Sequence, residues 1–485
     1  MQLKKITEGV NVESIDGSDE IDISGITCDS RKVGRGFAFV AIKGNNLDGN
    51  KFIKDAVENG AICIISESKP QDKYNVTTVT FKDIRAAYAA LCANFYGNPS
   101  RELKIIGITG TNGKTTTAYL IESLLKKANY KCGRIGTIDY STGSRAFPAL
   151  NTTPDAGILQ ALFKEMLDDK TDYCVMEVSS HSLHQGRVDS IKFHSAVFTN
   201  LSKEHLDYHK TPEEYFLSKK KLFDGLTEKD YAVINMGNIY GTILMPAVKS
   251  KTITYGFNKN AKIRAKDEVI SLKGSEFFLI TPKGEARIST SLVGRYNIYN
   301  ILAAVSVAQE EGVDLNKIKE AIAEFDPPPG RLELVNPRGD FYVYVDFAHT
   351  DDALRKVLAS LSVLTKGRII TVFGCGGDRD KTKRPRMGRI ASRLSDFVII
   401  TSDNPRSEDP IDIIEQIKQG MLPDFKDYLA IEDREKAIKE AIKMAKKDDI
   451  VLIAGKGHET SQIYKDKTIA FDDREIARQA LGIKK

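Results

Sequence analysis

The stretch Gly107-Ile-Thr-Gly-Thr-Asn-Gly-Lys-Thr-Thr116 carries residue types that suit the handling of phosphate. An apolar run, Leu103 to Ile108, precedes it, and apolar positions at helical spacing follow it from Tyr119 to Leu125. Strand, glycine-rich turn and helix together make a cradle. Backbone N–H groups turn inward at phosphate oxygens, and the helix N-terminus adds a favourable dipole. Lys114 reaches the β- and γ-phosphates in such a cradle, and the Thr115 hydroxyl sits on Mg²⁺. The strict pattern wants a glycine where this chain has Ile108, so the match is a variant, Thr109-Gly-Thr-Asn-Gly-Lys-Thr-Thr116. ATP or GTP is the expected ligand.

Five of the seven histidines lie between His181 and His209. No cysteine or HExxH pattern accompanies them, so zinc is disfavoured. Oxygen donors surround them instead: Glu177, Ser179, Ser180, Glu204 and Asp207. Hard donors beside a phosphate loop suit Mg²⁺. Glu177 and His205 are the candidate ligands, and strand-end residues that merely cap turns are the plainer reading. Thr211-Pro212 with Glu214 marks a helix start. Along that helix Tyr215, Phe216, Leu222 and Phe223 share one face, with Lys219 at its centre. Two readings stay open for Lys219: it reaches out to solvent, or it is held inward as a charge or a modified amine. Asn297 and Asn300 fall on one face of a helix opening near Leu292, where they suit a purine edge or a simple polar turn. Arg331 follows Pro327-Pro-Pro-Gly330, a place where helix cannot continue.

These groups need elements to hold them. In the last third, four apolar strands each end in a polar loop: Tyr344–Thr350, Ile369–Arg379, Val398–Arg406 and Ile450–Glu459. Ligands bind beyond the carboxyl ends of strands in open α/β sheets, so four such loops in succession predict a site. The middle region alternates strands (Tyr173–Val178, Ser195–Asn200, Tyr231–Asn235) with helices, which predicts a mostly parallel sheet. The first hundred residues read as short strands around a helix from Asn50 to Glu58, and Asn98-Pro-Ser100 reads as a linker. The fold class is α/β in three domains: 1–102, a central 103–330 with the phosphate loop, and a Rossmann-like 331–485.

Bulk properties narrow the partners. With 485 residues, 41% hydrophobic and 28% charged, the composition is that of a globular protein. A formal charge of +5, with Lys and Arg dispersed, gives no reason to expect nucleic acid. No segment approaches a membrane span, no signal peptide is evident, and six cysteines without CxxC spacing suit a reducing cytosol.

The order of these motifs resembles the Mur ligase family. The carriers are Thr109–Thr116, Glu177-Val-Ser-Ser-His181, Thr199–Asp207, Gly294-Arg-Tyr-Asn-Ile-Tyr-Asn300, Gly330-Arg331 and Asp346-Phe-Ala-His349. Within the family, Asp29-Ser-Arg31, Asn151-Thr-Thr-Pro-Asp155, Asp403-Asn-Pro-Arg406 and Gly455-Lys-Gly-His-Glu459 resemble members that add the third peptide residue. The resemblance implies a UDP-sugar domain, an ATPase domain and an amino-acid domain in a cytoplasmic monomer. It implies ATP-driven amide synthesis, with Mg²⁺, between UDP-N-acetylmuramoyl-L-alanyl-D-glutamate and meso-diaminopimelate.

Carried over residue by residue, it gives Gly110, Thr111, Asn112, Gly113, Lys114, Thr115 and Thr116 to the ATP phosphates. Asn297, Asn300, Arg331, Asp346 and His349 match further ATP and hinge positions. Thr115, Glu177, His205 and a carbamylated Lys219 match metal ligands, and Lys114, His205 and Lys219 the catalytic set. Ser30 resembles a UDP contact, and Asn151, Thr152, Thr153, Ser179, Gln185 and Arg187 resemble contacts to the muramoyl dipeptide. Arg379, Asp403, Asn404, Arg406, Gly455 and Glu459 resemble the diaminopimelate pocket. Asp351 stands where the family usually has proline, which puts the rigidity of that loop in question. The rivals are a lysine-adding relative, a folylpolyglutamate synthetase and a switch-type P-loop NTPase.

Overall fold

A computed structural model describes residues 1–44, 47–202, 204–336 and 339–483. Lys203 and the side chain of Asp207, both within motifs read above, lie outside the described residues.

Six apolar strands fill the middle of the central sheet, in the order Lys251–Gly256, Tyr231–Asn235, Ser195–Phe198, Lys104–Thr109, Tyr173–Glu177 and Cys132–Ile135. All five pairings among them are parallel. The apolar runs of the inner strands follow from burial on both faces. Ile106, Ile108 and Val175 enter one core, and Ile105, Cys174 and Met176 the other. The phosphate-loop strand Lys104–Thr109 lies where the chain order reverses, the crevice position expected of a ligand site in such sheets.

Further strands extend both edges, giving eleven in all; Ile263–Ser271 joins Lys251–Gly256 in parallel, and the other added pairings are antiparallel. One extension, Ile263–Ser271, Gly274–Thr281 and Gly284–Thr290, has no counterpart in the sequence reading. Its outer faces alternate with Lys, Glu and Arg, so no continuous apolar run announces it.

Before this sheet stands a five-stranded sheet spanning Ser14–Asp16 to Thr77–Thr80. After it, a six-stranded sheet runs in the order Glu333–Leu334, Tyr342–Asp346, Ile450–Ala454, Ile369–Phe373, Phe397–Ile400 and Tyr428–Ala430. The predicted three-domain α/β architecture is the observed one. Asn98-Pro-Ser100 is tighter than a loose linker. Asn98 is left-handed (φ 57°), Pro99 opens the one-turn helix Pro99–Arg101, and Pro99 and Ser100 are buried. Ser100 Oγ accepts from the Lys192 N–H at 3.2 Å.

Candidate active site

The phosphate loop is shaped by its neighbours as much as by its glycines. Thr111 N–H donates to the Asn200 carbonyl at 2.8 Å, and Asn112 N–H to Asn200 Oδ1 at 3.1 Å. Gly113 caps the helix Lys114–Lys127 with φ 87°. A Cβ there would lie 2.4 Å from Asn300 Oδ1, so conformation and space both require glycine. Lys114 Nζ donates to the carbonyls of Gly110 and Thr111, each at 3.0 Å.

Lys219 points inward. It is 2% exposed, and its Nζ lies 4.5 Å from the Tyr215 ring centroid. That Nζ donates to the Gly110 carbonyl at 3.0 Å, the same oxygen that Lys114 uses. Burial, and then the Lys114 charge, push the Lys219 amine well below the ordinary lysine range. Its helix, Pro212–Asp224, starts as read: Thr211 Oγ1 accepts from the Glu214 N–H at 3.1 Å. The reciprocal half of the capping box is replaced, because Thr211 N–H donates to the His209 carbonyl.

Glu177, at the end of its strand, accepts from Thr115 Oγ1 at 3.1 Å. It also accepts from the Thr137 N–H at 2.9 Å and hydroxyl at 3.1 Å. Thr137 carried no signal in the sequence. His205, left-handed at φ 57°, has its ring 4.9 Å from His181 and 5.9 Å from Tyr215. His209 is pushed down to about 4 by burial and by the neighbouring His181 and His184. Among the described residues no group of three or more His, Cys, Asp or Glu side chains is arranged to hold a metal.

Thr111 to Thr116, Thr152, Thr153, Glu177, Ser179, His205, Asn297, Asn300, Arg331, Asp346, His349 and Arg379 all line one cleft of about 1120 Å³. Asn300 Nδ2 donates to Asn297 Oδ1 at 3.0 Å, and Asn297 Nδ2 to the Val293 carbonyl at 2.9 Å. Their helix begins at Arg295 rather than near Leu292, because Gly294 takes φ 99°. Arg331 crosses to the phosphate loop, its Nη2 donating to Thr115 Oγ1 at 2.9 Å. Asp346 accepts from the N–H groups of Leu332 (2.7 Å) and Ala348 (2.8 Å), and burial lifts its carboxyl to about 6. His349 is pushed down to about 4 by burial and then by Lys383. Asp352, not singled out from sequence, accepts from Asn112 Nδ2 (3.1 Å) and Ser202 Oγ (2.8 Å), tying the C-terminal unit to the loop. Asp351 opens the helix Asp351–Ser362 behind the Thr350 cap and pairs with Arg386 at 3.2 Å. Thr350 Oγ1 caps this helix by accepting from the Ala353 N–H at 3.3 Å, and Asp351 adds a favourable charge to its first turn.

A second cleft of about 670 Å³ takes in Ser30, Asn151, Gln185 and Arg187. Asn151 and Arg187 line both clefts. Arg187 donates to the Thr153 carbonyl (2.7 Å) and Gln185 Oε1 (2.7 Å), while Thr153 Oγ1 donates to the Glu177 carbonyl (2.9 Å). A bonded path therefore joins this cleft to the phosphate loop. Thr152 Oγ1 meets Thr137 Oγ1 at 3.1 Å, and Ser179 Oγ caps its helix by accepting from Ser182 N–H at 3.1 Å.

The C-terminal strand ends gather the remaining group. Arg406, left-handed at φ 55°, donates from Nη1 to the carbonyls of Gly377 (2.9 Å) and Asn404 (3.4 Å). Burial, then the adjacent Arg379, lower its proton affinity, while Asp403 and Glu459 oppose that. Asn404 Nδ2 donates to Glu459 Oε2 at 2.8 Å. Gly455 takes φ 119°, and a Cβ there would lie 2.7 Å from Asp403 Oδ2. Buried Lys456 and Arg384, which reasoning from sequence passed over, brace these loops. Arg384 pairs with Glu408 at 2.9 Å, and Glu408 accepts from the Asp378 N–H at 2.7 Å. The position of Lys456 inside Gly455–Glu459 was a signal that could have found it.

Known proteins agree with this architecture. Residues 22–96 match the family described as Mur ligase family, catalytic domain; 108–308 match the Mur ligase middle domain; 330–457 match the Mur ligase glutamate ligase domain. The chain is 46% identical over 481 residues, 99% of each chain, to UDP-N-acetylmuramoyl-L-alanyl-D-glutamate–2,6-diaminopimelate ligase 1 of Clostridium acetobutylicum. A solved structure of a ligase of that name superposes with TM-score 0.70 at 32% identity, covering 99% of both chains. The MurF ligase from Thermotoga maritima in complex with ADP shares the fold: TM-score 0.63 at 21% identity, covering 89% of this chain and 93% of that one. The chain belongs to the Mur ligase family. It is a ligase.

Proposed function

We propose that the chain joins meso-diaminopimelate to the D-glutamate carboxyl of UDP-N-acetylmuramoyl-L-alanyl-D-glutamate, using ATP and forming ADP and phosphate through an acyl phosphate, in peptidoglycan precursor synthesis. The full-length likeness to relatives of that name supports the reading. The observation that carries the amino-acid choice is Arg406 beside Arg379, cationic side chains whose setting favours an anion. The distal end of diaminopimelate brings a carboxylate for Arg406 and an ammonium for Glu459. L-lysine would leave Arg406 without that anion.

In this reading Lys114 and the loop N–H groups neutralise the ATP γ-phosphate while the substrate γ-carboxylate attacks in line. The diaminopimelate amine then attacks the acyl phosphate, and phosphate leaves. Asn297, Asn300, Arg331, Asp346 and His349 line the ATP side. Ser30, Asn151, Thr152, Thr153, Ser179, Gln185 and Arg187 hold the UDP-muramoyl dipeptide. Thr115, Glu177, His205 and Lys219 would hold Mg²⁺, which supplies charge neutralisation at the phosphates. The donor set fits a hard cation once Lys219 is carbamylated. Burial depresses its amine, which favours the neutral nucleophile that CO₂ requires, and the product is an anion. The units are 1–102, 103–330 and 331–485, in a cytoplasmic monomer with no nucleic-acid or membrane partner. No helix among the described residues is long and apolar enough to cross a membrane.

Phosphate release tests this. Turnover should require ATP, the UDP-muramoyl dipeptide and meso-diaminopimelate together. Equal turnover with L-lysine would overturn the amino-acid choice, and turnover of ATP alone would overturn the ligase reading.

A further inference from the structure

Behind the amino-acid pocket lies a fully buried cation. The Lys456 side chain has no exposure, whereas that of Glu459, its ion-pair partner, is one-third exposed. Lys456 Nζ donates to Asn404 Oδ1 at 3.0 Å and to Glu459 Oε2 at 2.8 Å. The N–H of Ile463 donates to the same Asn404 Oδ1, also at 3.0 Å. An ammonium and a backbone N–H are obligate donors, so the end of the amide they meet is the oxygen, and both its lone pairs are spent. Asn404 Nδ2 is thereby fixed as the donor end, and one hydrogen goes to Glu459 Oε2 at 2.8 Å, the oxygen that Lys456 also meets. Among the described residues no acceptor takes the second N–H.

We infer that Lys456 is the positioning residue that makes this pocket select an amino acid whose distal end carries a carboxylate as well as an ammonium. The inference rests on the amino-acid pocket proposed above and deepens it. Lys456 touches no substrate. It locks Asn404 as a donor, which suits a carboxylate and repels an ammonium. By occupying Glu459 Oε2 it directs a ligand ammonium to Oε1. Without it the amide oxygen keeps only the Ile463 N–H and Glu459 Oε2 loses its cation, so the Asn404 donor and the Glu459 carboxylate are held less firmly against the incoming amino acid.

The test is the kinetics of Lys456→Met, which keeps an apolar stem of similar length, with meso-diaminopimelate and L-lysine as the varied amines. The expected result is a KM for meso-diaminopimelate raised about 30-fold, ~2 kcal/mol at 1.4 kcal/mol per tenfold. The kcat should stay within about threefold and the KM for ATP within about twofold, a split that mere loosening of the fold does not produce. Preference for meso-diaminopimelate over lysine should fall by the same factor as KM rises. Adding Lys456→Met to Asn404→Ala should change KM little, because Lys456 acts through that amide. An unchanged KM, an equal rise in the KM for ATP, or full additivity with Asn404→Ala would overturn the inference. If Lys456→Met does not fold, Asn404→Asp takes its place. It retains acceptors for Lys456 and Ile463 but removes the outward N–H, so the same KM defect is expected and a wild-type KM overturns it. A wild type that prefers lysine would instead sink the pocket reading itself.

Discussion

Arg406→Ala is the sharpest test of the amino-acid pocket. The guanidinium is half-buried, held by two carbonyl oxygens at 2.9 and 3.4 Å and flanked by Arg379. Neither carbonyl carries a full charge, so the bound carboxylate would be its main counter-ion. Truncating one partner of a hydrogen-bonded charge pair costs about 2–5 kcal/mol, which is roughly 30- to 4,000-fold. Because Arg379 remains, the lower part of that range is expected. The assay is phosphate release at saturating ATP and UDP-muramoyl dipeptide, with meso-diaminopimelate titrated. The KM for that amine should rise at least about 30-fold, the KM for ATP should hold, and turnover with L-lysine should change little. A KM for meso-diaminopimelate within about threefold of wild type would refute the argument, since no carboxylate could then be resting on Arg406.

Gly113→Ala forces a side chain into φ 87° and against Asn300 Oδ1. The left-handed conformation alone costs about 1–2 kcal/mol, so nucleotide affinity measured by calorimetry should fall by at least about 5- to 30-fold, and wild-type binding would sink the account of the loop. Lys219→Met removes one of two amines crowded on the Gly110 carbonyl. Turnover should fall by roughly 100-fold or more without loss of resistance to denaturant, and wild-type turnover should drop in buffer stripped of CO₂ and bicarbonate; indifference to both changes removes the carbamate from the scheme. The Glu311 side chain is buried and lines neither cleft. Burial raises its carboxyl, but hydrogen bonds from His194, Tyr173 and Tyr231 outweigh that and bring it from the ordinary 4.5 to about 2. A depressed carboxylate stabilises the fold above its unfolded value and loses that contribution as pH falls from 4.5 towards 2. The difference is worth roughly 3 kcal/mol, so Glu311→Gln should lower resistance to urea at pH 7 and blunt the acid-induced loss; equal behaviour of both proteins at pH 7 would contradict it.

Features written in contiguous residues were legible in the sequence. The phosphate loop needs one strand, one turn and one helix start, all within Lys104–Lys127, and local glycine conformations with apolar periodicity specify them. Thr211-Pro212 likewise announced its helix, because capping acts within a single turn. The parallel core showed itself as apolar runs because strands buried on both faces need nothing else. The hairpins of Ile263–Thr290 stayed hidden because their alternation is diluted by charged outer faces.

Tertiary structure decided whatever depends on which strands lie side by side. Helical periodicity put Lys219 on an apolar face but could not say what faced it; the answer is a carbonyl 109 residues away in the chain. That Asn297 and Asn300 share a helix face was legible, yet their bond to each other and the place of Asn300 against Gly113 were not. Arg331 meets Thr115 across 216 residues, Asp352 meets Asn112 across 240, and Lys456 orients Asn404 across 52. Such contacts follow from strand order and from the crossing of the chain at Gly330, where a Cβ would collide with Gly457 at 2.1 Å. Residue type and spacing fix which chemistry each segment could supply, because the forces behind them act within a few residues. Burial of several separate segments around one cleft then fixes which of those groups meet.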